Sequence, residues 1–184
     1  MRTHFVFATL AAILLAGCTT ATPARYTMSI DNNTLLKRFE NASIGVVDYT
    51  DANDFDAECR MVAKIEASNN RGVAQFVKDS FNEEFQFANL YDGGVPNTRL
   101  HLTMDKIAFS SSAGLMNGWW ELEITLRNDA NDSVSASTRY DFPTAFDGTQ
   151  ACNITGQALT PAVQDLIKQT IQQRDFRRLV GTTR

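Results

Sequence analysis

The sequence predicts an α+β domain in two layers: a mainly antiparallel sheet of about five strands with two helices packed on one face. Three observations carry that expectation. Between residues 99 and 142 three successive stretches alternate apolar and polar residues, the period of a strand. One earlier stretch and one near the end repeat apolar residues at three and four, the period of a helix. In all three alternating stretches one side is apolar and the other polar, so the sheet has one buried and one wetted face.

The elements follow in order. Residues 5–15 are apolar, Arg2 precedes them, and the small residues Ala16 and Gly17 follow. The run is shorter than the ~20 apolar residues that span a bilayer. It reads as a cleaved secretory signal, residues 1–17. Residues 18–33 are small and polar without periodicity and read as a flexible tether. The remaining residues, 34–184, make a single domain. Residues 35–39 offer one helical turn. Residues 43–49 form the first strand, and an acidic connection follows. Cys59, Met61, Ala63 and Ile65 alternate with Arg60, Val62, Lys64 and Glu66, which predicts a half-buried second strand.

From Val73 the period becomes helical. Val73, Phe76, Val77, Phe81, Phe85 and Ala88 make an aromatic core face, and residues 92–96 end the helix with turn chemistry. Leu100, Leu102 and Met104 then point inward, and Ile107 and Phe109 resume one residue out of phase, which predicts a bulge near Asp105 and Lys106. Trp120, Leu122, Ile124 and Leu126 form the next inward set. After a turn at 128–132, Val134, Ala136, Thr138, Tyr140 and Phe142 form the last. Thr160 followed by Pro161 predicts the start of the final helix, with threonine as cap and proline at the first helical position. Its stripe of Val163, Leu166, Ile167, Thr170 and Ile171 ends or bends near Arg174 and Asp175.

The chain carries a net charge of −4, and losing the leader with Arg2 makes the mature chain one unit more negative. Without a dense basic patch it is a poor partner for nucleic acid or anionic lipid headgroups. Of the three cysteines, Cys59 and Cys152 form an even pair, and in an oxidising compartment such a pair reads as a disulfide, the alternative being two buried thiols. No Cys-x-x-Cys is present and one histidine survives in the mature chain, so no metal and no cofactor are expected.

Leu15-Ala16-Gly17-Cys18 resembles the lipobox of bacterial lipoproteins. The resemblance implies diacylglycerol on the Cys18 sulfur, cleavage before Cys18 and a third acyl chain on the new amino group. Thr19 stands where the inner-membrane retention signal of such proteins has Asp. That implies an outer-membrane protein, lipid-anchored, with its domain facing the periplasm. The alternative is an ordinary secreted protein with a coincidental cysteine. The order of elements in the mature chain is also similar to that of small periplasmic lipoproteins of the YajG type and, more distantly, of auxiliary lipoproteins of envelope transport systems. These resemblances imply binding or assembly rather than catalysis, with an envelope protein as partner and an oligomeric state left open.

The candidates for chemistry are weak. His101 lies mid-strand on the wet face and reads as a surface histidine, and no Gly-x-Ser-x-Gly accompanies it. Asp48, Asp51, Asp54, Asp56 and Glu58 invite a calcium loop. Counted from Asp54, however, the glycine position holds Cys59 and the last ligand position holds Ile65, so a solvated acidic loop is the better reading. Paired carboxylates for cleaving envelope polymers have no positive signal. The stretch 110–120 is unusually apolar for a connection. Leu115, Met116 and Trp119 in it are the candidate partner-binding residues, since Met and aromatics are enriched at interfaces, with Trp119 alternatively covered by a terminal segment. A second function places a lipid or other hydrophobic ligand between helices and sheet, against Phe76, Phe81, Phe85 and Leu126, as an accessory to transport.

Overall fold

The computed structural model describes residues 24–181 other than 53, 69, 70 and 115. The elements are α1 (Ile30–Leu36), β1 (Ile44–Thr50), β2 (Glu58–Cys59), β3 (Ala63–Lys64), α2 (Val73–Phe87), β4 (Thr98–Ala113), β5 (Asn117–Asn128), β6 (Ser133–Pro143), α3 (Gly148–Gln172) and α4 (Phe176–Leu179). Four strands form one sheet in the order β1-β4-β5-β6. The three long strands are the antiparallel meander that alternation requires, and the bulge falls between Met104 and Lys106. Leu100, Leu102, Met104, Ile107, Trp120, Leu122, Ile124, Leu126, Val134, Ala136 and Phe142 are all buried on the helix side. The Trp120 indole N–H, on that side, donates to the Thr155 carbonyl of α3 at 2.9 Å. A buried indole needs that partner.

β1 runs parallel to β4. A parallel pair needs a long crossover, which α2 and the residues before it provide. The outer edge of β1 is not left open at Val46. The Asn82 side chain of α2 accepts from the Val46 N–H at 2.8 Å and donates to its carbonyl at 2.9 Å, standing in for a neighbouring strand.

The fold is the expected α+β layering, but four local readings change. The half-buried strand expected over 59–65 is a hairpin, β2 and β3, that forms its own two-stranded sheet. Arg60 and Met61 at its tip have φ of 51° and 55°, a left-handed pair that turns the chain back. Met61 therefore faces solvent, 91% exposed, instead of the core. The final helix starts at Gly148, not at Thr160. Asp147 caps it, accepting from the Gln150 N–H at 2.8 Å. Pro161 sits inside the helix, and the Thr160 hydroxyl donates to the Arg25 carbonyl at 2.7 Å. The stripe continues backward through Thr155, Cys152 and Ala151, all fully buried.

The flexible tether does not extend to residue 33, and α1 begins at Ile30, capped by Ser29, ahead of the turn expected at 35–39. Ala24 is buried and bridges to Ala67. The Tyr26 hydroxyl donates to Glu84 at 2.6 Å, and the Ser29 N–H donates to the same oxygen at 2.7 Å. Burial raises the Glu84 pKa, and these two donors oppose the rise by favouring its charged form. Aromatic and capping residues thus make residues 24–33 part of the domain. Tyr26→Phe removes one donor from a buried carboxylate and is expected to cost about 1–3 kcal/mol. A urea melt showing no change would mean that this segment is not docked.

Candidate functional site

Cys59 and Cys152 are bonded, with Cα atoms 5.9 Å apart, and the bond fastens the β2–β3 hairpin to the first turns of α3. A Cβ placed on Gly148 would sit 3.3 Å from the Val62 side chain, so the hairpin tip also lies on the helix start. Arg60 completes the fastening. Its Nε donates to the Ser111 hydroxyl at 3.0 Å, Nη2 donates to the Ser111 carbonyl, and Nη1 donates to the Phe146 carbonyl at 3.1 Å. One guanidinium therefore joins the hairpin, the end of β4 and the loop before α3.

The β4–β5 turn is tied into the same end. Gly114 takes φ 60°, and the Thr144 N–H donates to the Met116 carbonyl at 2.8 Å. At Gly118 a Cβ would meet the Phe142 ring at 2.5 Å and the Ser110 carbonyl at 2.8 Å, a close approach that only glycine permits. The outcome is three connections held together with apolar side chains outward: Met61 and Val62, Met116, and Phe146. Phe146 is 78% exposed and Met116 54%.

Beside these tips lies an open groove of about 480 Å³. One wall is six consecutive residues of β4, 107–112, and the other is Asp54, Phe55, Asp56, Glu58 and Arg60. A wall of consecutive residues is a strand edge, not a sheet face. β1 pairs with β4 only as far as Thr103. Among the described residues no strand pairs with that edge from Asp105 onward. Phe55 and Phe109 meet edge to face at 6.2 Å along it, and Phe109 lies 5.0 Å from Trp120 beneath.

The candidates read from sequence separate. Cys59 and Cys152 come together as a disulfide. Cys18 and Leu115 lie outside the described residues. Met116 is at the tip. Trp119 is on the opposite, wet face of the sheet and half-buried. The Arg139 guanidinium of the adjacent strand lies over it, 4.7 Å from the ring centre. The acidic run does not converge. Asp48 turns to His101, Asp56 accepts from the Glu58 N–H, and no metal-holding cluster occurs among the described residues. Phe76, Phe81, Phe85 and Leu126 belong to one packed core, none more than 2% exposed. Arg60 and Phe55, which build the groove, were not singled out in the sequence. A lone aromatic inside an acidic connection was the one available signal.

No protein-family model and no curated protein matches this sequence significantly. Among solved structures, protein XCC0632 from Xanthomonas campestris, described as DUF330, is similar. The TM-score is 0.51 at 14% identity, over 83% of this chain and 90% of that one. The likeness is one of fold. No helix among the described residues is long and apolar enough to cross a membrane.

His101 is held on both sides. Nδ1 lies 2.8 Å from Asp48 and Nε2 2.7 Å from Asp129, so both ring nitrogens face carboxylates. The register shift after Val46 aims Asp48 at it. Hydrogen bonds to Asp129 and then Asp48 raise the imidazole pKa above its ordinary 6.5. The cluster ties β1 and the β5–β6 turn to β4. Its stabilisation is complete below pH 6.5, where the ring is charged in both folded and unfolded chains, and is lost as pH rises through the raised folded value. The melting-temperature gap between the native chain and His101→Gln is therefore expected to be widest at pH 5.5 and to narrow by pH 8.5. A gap independent of pH would contradict the charged clamp.

Proposed function

We propose that this chain is a non-catalytic lipoprotein of the bacterial envelope, anchored through Cys18 in the outer membrane with its domain in the periplasm. Its role is to bind an envelope protein along the free half-edge of β4 and the adjoining wet face of the sheet. The observation that carries the reading is the groove beside residues 107–112. It offers an unpaired strand edge, an aromatic floor and a fixed guanidinium in one rigid place. An extended segment adding to such an edge gains main-chain hydrogen bonds, and side-chain pockets give it specificity. Arg60 already occupies the Ser111 carbonyl, so the added strand lies along residues 106–110.

A role in carrying a hydrophobic ligand would need space among Phe76, Phe81, Phe85 and Leu126, and these side chains pack against one another instead. A hydrolase of envelope polymers would need two carboxylates converging across a cleft, and the acids of the groove, Asp54, Asp56 and Glu58, all belong to one wall. The anchor rests on the lipobox-like Leu15-Ala16-Gly17-Cys18. Three acyl chains, at ~0.8 kcal/mol per buried methylene, hold a protein durably at a bilayer.

The test is photocrosslinking in growing cells from Ser112, on the groove, and from Trp119, with Lys78 on α2 as control. One dominant protein adduct from Ser112, absent from Lys78, is the expected result. Equal labelling from all three positions, or none from Ser112 and Trp119, would contradict the proposal.

A further inference from the structure

The apolar tips have a direction relative to the anchor. Residues 24–31 run alongside α3 in the same sense as the helix. Arg25 receives Thr160, Thr27 receives Gln164, and Asp31 pairs with Lys168. Followed backward from Asp31 to Ala24, the chain therefore heads toward the start of α3. That end carries the disulfide, Met61, Val62, Met116 and Phe146. The opposite end, with the β5–β6 turn and the end of α3, carries Asn131, Asp132, Arg174 and Arg178.

The distances agree. From Gly148 to Thr160, level with Arg25, α3 rises about 18 Å at ~1.5 Å per residue. From Cys18 to Ala24 the chain reaches at most about 20 Å at ~3.3–3.6 Å per residue. A chain anchored at Cys18 thus has enough reach to let the start of α3 rest on the bilayer surface. Three connections from separate parts of the sequence present Met, Val, Met and Phe at that level. They are held there by Arg60, the disulfide and the Thr144–Met116 hydrogen bond. Single exposed apolar side chains, such as Ile30 and Val95, also occur elsewhere on this surface, but here four from three connections stand together, and a bilayer boundary takes up such a patch. The nearest charges are the Arg60 guanidinium, already engaged by Ser111 and Phe146, and the acids Asp54, Asp56, Glu58 and Asp147, so the surroundings are net negative and the contact is with the acyl boundary of a zwitterionic bilayer, not with anionic headgroups.

We infer that Met61, Val62, Met116 and Phe146 form a second membrane contact, laid on the bilayer beside the lipidated Cys18 and standing the domain upright on it. The inference rests on the anchor proposed above. It has a structural consequence: the groove along β4 and the Trp119 face point sideways, open to a partner in the same membrane. β5 alone separates the two ends by about 36 Å at ~3.3 Å per residue.

The experiment uses the full lipidated chain in phosphatidylcholine–phosphatidylethanolamine vesicles. A solvent-sensitive fluorescent amino acid replaces Phe146, Met116 or Asn131, and acylation is verified by mass. Expected are a blue shift and quenching by spin-labelled phosphatidylcholine at positions 146 and 116, with neither at 131. Unchanged emission at 146 and 116 in acylated, vesicle-bound protein would overturn the inference and leave the anchor standing. A blue shift in detergent without vesicles that grows with protein concentration would assign the patch to a second copy, which also overturns it. Absence of the acyl mass would overturn the anchor and the inference together.

Discussion

The bond between Cys59 and Cys152 is the constraint on which the exposed end of this protein depends. A two-residue-per-strand hairpin is far too small to hold itself in water. Here it is pinned through Cys59 to a helix that is itself anchored in the core by Trp120. Arg60, the next residue, then inherits a fixed position and spends its guanidinium on Ser111 and Phe146. The groove wall, the exposed tip at Met61 and the closure of the sheet edge at Ser111 all follow from that pair of neighbouring residues. The separation of 93 residues between the cysteines makes the link worth about 4–5 kcal/mol in a chain-entropy account.

The other end of the molecule is organised by polar contacts. His101 between Asp48 and Asp129 joins β1, β4 and the β5–β6 turn, and Asn128 donates to the Leu179 carbonyl at 2.9 Å, tying α4 onto the same turn. Tyr26 and Ser29 fasten the entering chain to Glu84 midway. Charge and hydrogen bonds therefore dominate one end, where Val95 is the exposed apolar exception, and Met, Val and Phe cluster at the other. The proposed membrane contact uses that asymmetry, with the free sheet edge at the side.

Much of the meander was legible because each of its three stretches alternates over many residues, and the phase change at Ile107 marked the bulge. The helix α2 was legible for the same reason at a different period. The start of α3 was hidden because its inward residues there, Ala151, Cys152, Thr155 and Gly156, are small or polar, while Thr160-Pro161 imitates a helix start. The hairpin was hidden because residues 59–66 alternate straight through its turn, and nothing local announces that Arg60 and Met61 adopt positive φ. The disulfide pairing followed from counting. The groove did not, since a strand edge becomes open only when the neighbouring strand stops short, a property of β1 and β4 together. The joint position of Met61, Met116 and Phe146 is likewise a product of three connections meeting in space.

The groove and the exposed tips depend on the hairpin being rigid because it is cross-linked. The most direct measurement is amide hydrogen exchange on the oxidised protein and on the protein after disulfide reduction, followed residue by residue. Reduction is predicted to raise exchange across residues 54–66 while β4, β5, β6 and the later turns of α3 keep their protection. Protection of residues 54–66 that is unchanged on reduction would contradict the account, because the groove and tips would then owe their shape to something other than the bond.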